Sequence, residues 1–387
     1  MKIKKNSTTE TDDQTPGFPL NPRTFLRVVG FGIIVLFSVS ACMARFAVSP
    51  EKKPQISDHF NGKNFVNPGS PSETGDGPKR GVLGYLWHSQ VMAGKRYPRW
   101  PEFVEFLPGQ PPAARVPKGT IRITSIGHAT FLIQMDGLNV LTDPIWANRS
   151  SPFSWLGPKR HSRPGLRLED LPPIDAVLVS HNHYDHLDLA ALTQLAKRGT
   201  PCLLVPLGNS DLVRDSGIPV VDELDWWQTA RLSADVTVTL VQAQHFSSRT
   251  LWDRNQALWG GFVVSGPSGN VYFAGDTGYG FHFSEIARRF SPIRVAILPI
   301  SPFQPKSSDK PSSHRLRVHM RPREAVKAHL DLAAQVSIAA HFQVFQLGPD
   351  GFDDAVQELA STLKQRDLKP DDFIVLDPGQ SHELTTN

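Results

Sequence analysis

Three histidines and an aspartate fall within six residues of one stretch, Ser180-His181-Asn182-His183-Tyr184-Asp185-His186-Leu187-Asp188, directly after the apolar run Ile174–Val179. A fold that contains this stretch must deliver several imidazoles and a carboxylate to the end of one strand. Imidazole nitrogens and carboxylate oxygens are the usual N and O donors for zinc and related divalent ions. On a tight loop His181 and His183 can face one ion together, and Asp185 and His186, on the following turn, can face a second. The alternative is a solvated polar loop, which this spacing at a strand end disfavours.

Six residues cannot close two metal sites, so further donors should end other strands. His245 follows Val236–Val241, Asp276 follows Val271–Phe273, and His341 ends Val336–Ala340. Taken singly, a histidine is more often a satisfied core or surface residue. Their shared placement at strand ends is what points to ligation. Asp276 lies in Gly275-Asp276-Thr277-Gly278, where glycine allows close backbone approach and suits a carboxylate that bridges two ions.

From Thr120 onward the chain reads as short β-rich runs separated by turns. Expected strands are Ile121–Ile126, Thr130–Met135, Leu138–Thr142, Ala176–Val179, Cys202–Pro206, Val236–Val241, Gly261–Val264, Val271–Phe273, Val295–Leu298, Val336–Ala340 and Phe373–Leu376. Asp136-Gly137 reads as a tight hairpin turn. Helices are expected near 188–198 and 323–334, and a third where Phe352, Ala355, Val356, Leu359 and Leu363 share one face. No internal repeat is visible. A composition of 40% hydrophobic and 20% charged residues supports a sizeable core. Strands mixed with helices over this length suggest an α/β fold of two sheets covered by helices.

The N-terminal part is different. Val28–Ala44 is uncharged and mostly apolar between Arg27 and Arg45, short against the ~20 residues a membrane span needs. It contains Val39-Ser40-Ala41-Cys42, similar to a bacterial lipoprotein cleavage box. An uncleaved anchor is the rival reading, because the preceding 27 residues are long for a signal and contain Glu10, Asp12 and Asp13. Either places the protein at the cell envelope, attached to a membrane. Ala47 to about Arg80 reads as a linker. Residues 81–118, with Trp87, Tyr97, Trp100, Phe103, Phe106 and Leu107, read as an extension laid on the main domain. The division is therefore 1–42 signal or anchor, 43–118 linker and extension, and 119–387 main domain. Two cysteines build no disulfide framework, and Cys202 reads as a core residue. A net charge of +4 without a dense basic face argues against nucleic acid as a partner.

Fuller motifs carry a resemblance. Gly127-His128-Ala129-Thr130, Leu141-Thr142-Asp143-Pro144-Ile145, Gly157-Pro158-Lys159-Arg160, the His181–Asp188 stretch, Glu223-Leu224-Asp225-Trp226-Trp227 and Phe273-Ala274-Gly275-Asp276-Thr277-Gly278-Tyr279 are similar to the N-acyl-phosphatidylethanolamine-hydrolysing phospholipase D family of the metallo-β-lactamase superfamily. The similarity runs from about 119 to 378. It implies an αββα sandwich, two zinc ions and phosphodiester hydrolysis. By the same resemblance His181, His183 and His245 hold one ion and Asp185, His186 and His341 the other. Asp276 bridges them, and Asp143 orients a ligand histidine. Iron or manganese could replace zinc in such a His/Asp site. His319 and Asp185 are expected to act in catalysis, on a phospholipid substrate at a membrane surface. The family's Gln-His pair reads Val318-His319 here, and Ser301–Arg317, with Lys306, Lys310, Arg315 and Arg317, looks longer than its counterpart. A lactonase, a phosphodiesterase on a soluble substrate, and a non-catalytic envelope protein with structural metals are the alternatives.

Overall fold

A computed structural model describes residues 57–68, 98–107, 109–250, 252–303 and 318–385. The expected β-rich body folds as two seven-stranded sheets. The first half contributes β1 (Thr120–Gly127), β2 (Thr130–Met135), β3 (Leu138–Thr142), β4 (Ala176–Leu178), β5 (Cys202–Pro206) and β6 (Val220–Leu224). The second contributes β7 (Thr229–Arg231), β8 (Thr237–Val241), β9 (Gly261–Gly266), β10 (Gly269–Phe273), β11 (Ile293–Pro299), β12 (Val336–Ala340) and β13 (Phe373–Ile374). A last strand, β14 (Ser381–Thr385), returns to the first sheet. The helices are α1 (Leu189–Arg198), the single turn α2 (Ser210–Val213), α3 (His282–Phe290), α4 (Pro322–Asp331) and α5 (Asp354–Gln365).

The orders are β14-β1-β2-β3-β4-β5-β6 and β7-β8-β9-β10-β11-β12-β13. In each sheet three antiparallel pairings are followed by three parallel ones. The two halves thus share one plan, a repeat that the sequence does not display.

Side-chain alternation explains the layers. In β4, Ala176 and Leu178 join the central core between the sheets, whereas Val177 joins the outer core with Leu192 and Leu195 of α1. In β11, Val295 and Ile297 point to the centre, and Ala296 and Leu298 pack outward with Phe283 of α3, Val326 of α4 and Leu359 of α5. Strands covered on both faces read as unbroken apolar runs, which is why these were legible. The result is the αββα sandwich. At the β2–β3 hairpin, Asp136 and Gly137 have φ 49° and 79°, the mirror-image turn that Asp-Gly favours.

Asp188 turns out to be structural. One oxygen caps α1 at the Ala190 and Ala191 amides, and the other accepts from the Trp146 and Ala147 amides. The last residue of the His/Asp stretch therefore starts a helix and ties down the loop after β3.

The linker expectation needs correction. Within it, residues 57–68 dock on the main domain: Phe65 is fully buried in the central core, and His59 stacks on Trp226 at 4.0 Å. The extension packs where Trp100 donates to the Asp350 carbonyl at 2.9 Å, but Leu107 is 90% exposed and serves no packing, and Phe103 is also exposed, with the Arg163 guanidinium over its ring. Trp87, Tyr97, the anchor segment with Cys42, and the basic residues Lys306, Lys310, Arg315 and Arg317 lie outside the described residues. Among the described residues no helix is long and apolar enough to cross a membrane. Cys202 is half-buried, not fully in the core, with its thiol pushed up to about 11 by burial and Asp222.

Candidate metal centre

All the expected donors leave the C-terminal ends of strands: His181–His186 after β4, His245 after β8, Asp276 after β10 and His341 after β12. His128 sits in the β1–β2 turn and Asp143 directly after β3. His128, Asp143 and His341 have φ of 60°, 33° and 62°, a region that side chains with a Cβ rarely occupy and that clusters at functional sites. Gly275 has φ 58°, and a Cβ there would lie 2.5 Å from Ser180 Cβ. Only glycine lets the Asp276 loop pass so close to the loop after β4.

The donors form two groups, His181/His183/His245/Asp276 and His128/Asp185/His186/His341, each with its ligand atoms within 4.8 Å of one another. Asp276 belongs to both in practice. Its Oδ2 lies 3.7 Å from His245 Nε2, 4.0 Å from His181 Nε2 and 3.3 Å from His186 Nε2, while Oδ1 lies 3.1 Å from His341 Nε2. His181 Nε2 meets His183 Nδ1 at 2.7 Å, and His186 Nε2 meets His341 Nε2 at 3.1 Å. At most one proton can lie between two such nitrogens. His319 Nδ1 is buried with no hydrogen-bond partner among the described residues, and Asp276 Oδ1, despite its 3.1 Å approach to His341 Nε2, has no well-directed hydrogen bond there. Convergent, incompletely paired N and O donors of this kind are costly without a cation and fit a divalent transition metal.

Charge follows the same logic. Burial, reinforced by neighbouring imidazoles, holds His181 and His245 well below the usual histidine range, and burial takes His183 to about 3. These rings are neutral, as ligation requires. Burial opposes charge on His186 and His341 too, but Asp276 and Asp185 outweigh it and raise His186 well above its ordinary value and His341 to about 9. Two buried carboxylates demand positive charge beside them, and a bound cation would take the protons' place.

A second layer fixes which nitrogen of each ring faces inward. Asp143, fully buried, accepts from His186 Nδ1 at 2.7 Å, Ser180 N at 2.7 Å and Ser180 Oγ at 2.6 Å. Since the Ser180 hydroxyl donates to Asp143, it accepts from His181 Nδ1 at 2.9 Å. One carboxylate therefore sets a histidine in each donor group, His186 directly and His181 through Ser180. His245 Nδ1 donates to the Val318 carbonyl at 2.8 Å. Val318 acts through its main chain, so its departure from the family's glutamine leaves this contact intact. Arg249, buried over the Tyr184 ring at 4.0 Å, donates to the Asn182 and Leu187 carbonyls and holds both ends of the ligand loop.

His319 stands at the mouth with its side chain 25% exposed, its Nδ1 3.6 Å from Asp276 Oδ2 and its ring centroid 5.0 Å from that of His245. Burial pushes it down to about 4, so it is neutral near pH 7. The structure thus brings all seven expected ligand residues together with His319. Sequence reading missed His128 as a member of the cluster; its position at a strand end was the available signal. Arg249 and Ser180 act through main-chain or relayed contacts and carried no such signal.

The sequence pattern of the Beta-lactamase superfamily domain matches residues 138–342, more than half of the chain. A relative from Mycobacterium tuberculosis is 38% identical over 249 residues, 63% of this chain, and the chain spans 64% of that relative's length. A Caenorhabditis elegans relative named N-acyl-phosphatidylethanolamine-hydrolyzing phospholipase D 1 is 35% identical over 276 residues, 68% of this chain and 75% of the relative. A metal-dependent hydrolase of Methanopyrus kandleri is 31% identical over 269 residues, 68% of this chain and all (100%) of the relative. Among solved structures, a metallo hydrolase of Ignicoccus hospitalis has a TM-score of 0.52 at 20% identity, covering 69% of this chain and 100% of that one, which speaks for the fold. Sequence pattern, sandwich and donor cluster agree, and the chain belongs to the metallo-β-lactamase superfamily.

Proposed function

We propose that the protein is a phospholipase D-type phosphodiesterase that hydrolyses N-acyl-phosphatidylethanolamine or a closely related phospholipid. The observation that carries this reading is the pair of adjoining donor groups sharing Asp276 beneath a neutral, half-open histidine. Such a pair suits two ions acting on the attacking and leaving oxygens of one phosphoryl group. The name of the C. elegans relative supports the substrate class.

His181, His183 and His245 would hold one zinc ion, Asp185, His186 and His341 the other, with Asp276 shared. His128, whose Nε2 is 3.0 Å from Asp185 Oδ2, orients that carboxylate. Bound divalent ions supply Lewis acidity and a water acidic enough to react near neutral pH. Asp185, 10% exposed at its side chain against 1% for Asp276, is the carboxylate nearer the opening and takes the proton of the attacking water. His319 donates to a non-bridging phosphoryl oxygen, where negative charge grows as the new O–P bond forms. The P–O bond to the N-acylated amino alcohol breaks, the departing oxygen takes up the proton held by Asp185, and phosphatidic acid is the other product. The reading extends to a protein held at the bacterial cell envelope by acylated Cys42 or by an uncleaved Val28–Ala44 anchor, which would keep enzyme and lipid at one surface.

The test is hydrolysis by metal-loaded protein of N-acyl-phosphatidylethanolamine, phosphatidylethanolamine, phosphatidylcholine, an acyl lactone and a soluble aryl phosphodiester. Release of phosphatidic acid with N-acylethanolamine from the first is expected. Turnover of the lactone or the soluble diester with none of the N-acyl lipid would overturn the reading.

A further inference from the structure

His245 sits in the loop after β8, outside the strand pairings of the described residues, and it is fully buried, so its main-chain N–H and C=O need partners. Both partners come from one side chain 178 residues away. Asn67 Nδ2 donates to the His245 carbonyl at 2.8 Å, and Asn67 Oδ1 accepts from the His245 amide at 3.1 Å. The carboxamide thus stands in for a neighbouring strand at this one residue. With the Val318 carbonyl on Nδ1, these bonds fix both the backbone and the ring of His245.

The segment that carries Asn67 is itself held. Phe65 is buried in the central core, and its amide donates to the Asn255 carbonyl at 2.8 Å. Asn255 in turn donates its amide to the Ser247 carbonyl at 2.8 Å, two residues beyond His245. The Val66 amide donates to the His59 carbonyl, and His59 stacks on Trp226 and pairs with Asp225 at 2.7 Å. Trp226 Nε1 donates to the Trp259 carbonyl, and Trp259 Nε1 to the Ala243 carbonyl, two residues before His245. The segment therefore bonds to the ligand residue directly and reaches the loop on either side of it through intermediaries, Trp226 and Trp259 before it and Asn255 after it. A passive connector would need none of these contacts.

We propose that residues 58–67 form an arm that is part of the metal centre, with Asn67 as the positioning residue of His245. The proposal rests on His245 being a ligand. Partners of this kind change metal affinity by about 10–100-fold when removed. Coupling is reciprocal, so a metal ion in the His181/His183/His245/Asp276 group must also tighten the arm.

The experiment uses full-length protein. Asn67→Ala, Asn67→Asp and His245→Ala are titrated with zinc against a chelator and with cobalt(II), whose visible spectrum reports ligand geometry. Backbone hydrogen exchange of residues 57–68 is followed in wild type with and without zinc. In Asn67→Ala one equivalent should bind about 10–100-fold more weakly with an altered cobalt spectrum, while the other stays near wild type. Asn67→Asp keeps the acceptor for the His245 amide and should recover part of the loss. Zinc should slow exchange of the wild-type arm. Two wild-type affinities in Asn67→Ala, with one equivalent lost in His245→Ala, would overturn the arm proposal alone. Two retained equivalents in His245→Ala would overturn the ligand assignment and the arm with it. If Asn67→Ala fails to fold, arm exchange that zinc leaves unchanged in wild type overturns the proposal.

Discussion

Asp143→Asn changes one atom and should weaken both metals. Asp143 Oδ1 accepts from the Ser180 amide, a donor that cannot turn away, so the asparagine oxygen must stay there. The new NH2 then replaces Oδ2, facing His186 Nδ1 and the Ser180 hydroxyl. To avoid a clash of donors, His186 must move its proton to Nε2, the nitrogen that faces His341 and Asp276. The Ser180 hydroxyl turns to accept from the amide and donates to His181 Nδ1, which drives that ring's proton to Nε2 as well. Each donor group loses a lone pair aimed at its ion. Restoring the ligating tautomers leaves buried donors opposed, at about 1–3 kcal/mol per group. That corresponds to about 10–100-fold in affinity for each equivalent. Chelator competition should show both equivalents weakened, whereas His341→Ala should weaken one. Far-UV circular dichroism checks that the fold persists. Wild-type affinity for either equivalent in Asp143→Asn would refute the relay through Ser180 or the direct bond to His186, according to which group is spared.

Three further outcomes follow from other contacts. His319→Ala should keep both metals and lose about 10²–10³ in turnover, about 3–4 kcal/mol, while Val318→Gln should leave metal affinity unchanged because that residue acts through its carbonyl; steady-state kinetics and metal analysis decide, and wild-type turnover in His319→Ala returns it to a surface role. His59 is lowered by burial but raised overall by Asp225 and Asp58, so its stabilising effect is fully present below its unfolded value near 6.5 and is lost as pH rises through the higher folded value. Thermal midpoints of wild type and His59→Phe should therefore differ most at about pH 5–6.5 and converge in more alkaline buffer; a gap that widens with pH would contradict the ion pair. Gly275→Ala combines a left-handed φ with a Cβ 2.5 Å from Ser180 Cβ, so urea melts should show about 2 kcal/mol or more of lost stability.

The strands that the sequence leaves hidden have one thing in common. β6 and β14 are the two edges of the first sheet, and β7 is an edge of the second. β6 contains Asp222 and Glu223, β7 is three residues long, and β14 alternates exposed and half-buried residues from Ser381 to Thr385. Edge strands are kept short and charged, which discourages pairing with other chains and also erases the apolar pattern. Central strands such as β2, β3, β5 and β12 are buried along most of their length, and their limits were readable to the residue. α3 escaped notice because its buried face is little more than His282, Phe283 and Ile286 in a helix that also carries Glu285, Arg288 and Arg289. The arm escaped for a similar reason, since Phe65, His59 and Asn67 do its work amid prolines, glycines and serines.

Ligand residues were legible because imidazoles and carboxylates at strand ends are costly to explain otherwise; their division between the sheets was not. His181 and His183 come from the first sheet and meet His245 and Asp276 from the second. His128, Asp185 and His186 come from the first sheet and meet His341 from the second. Neither group can be assembled by one half of the fold, although both halves share the same strand plan. An ion in either group would be held by residues of both sheets, so its binding energy would add to whatever holds the two halves together. The chain thus places its chemistry where a charge that neither half can satisfy alone adds to hydrogen bonds between the halves, such as His341 N–H to the His128 carbonyl, Gly260 N–H to the Ser180 carbonyl and Arg249 to the Asn182 carbonyl.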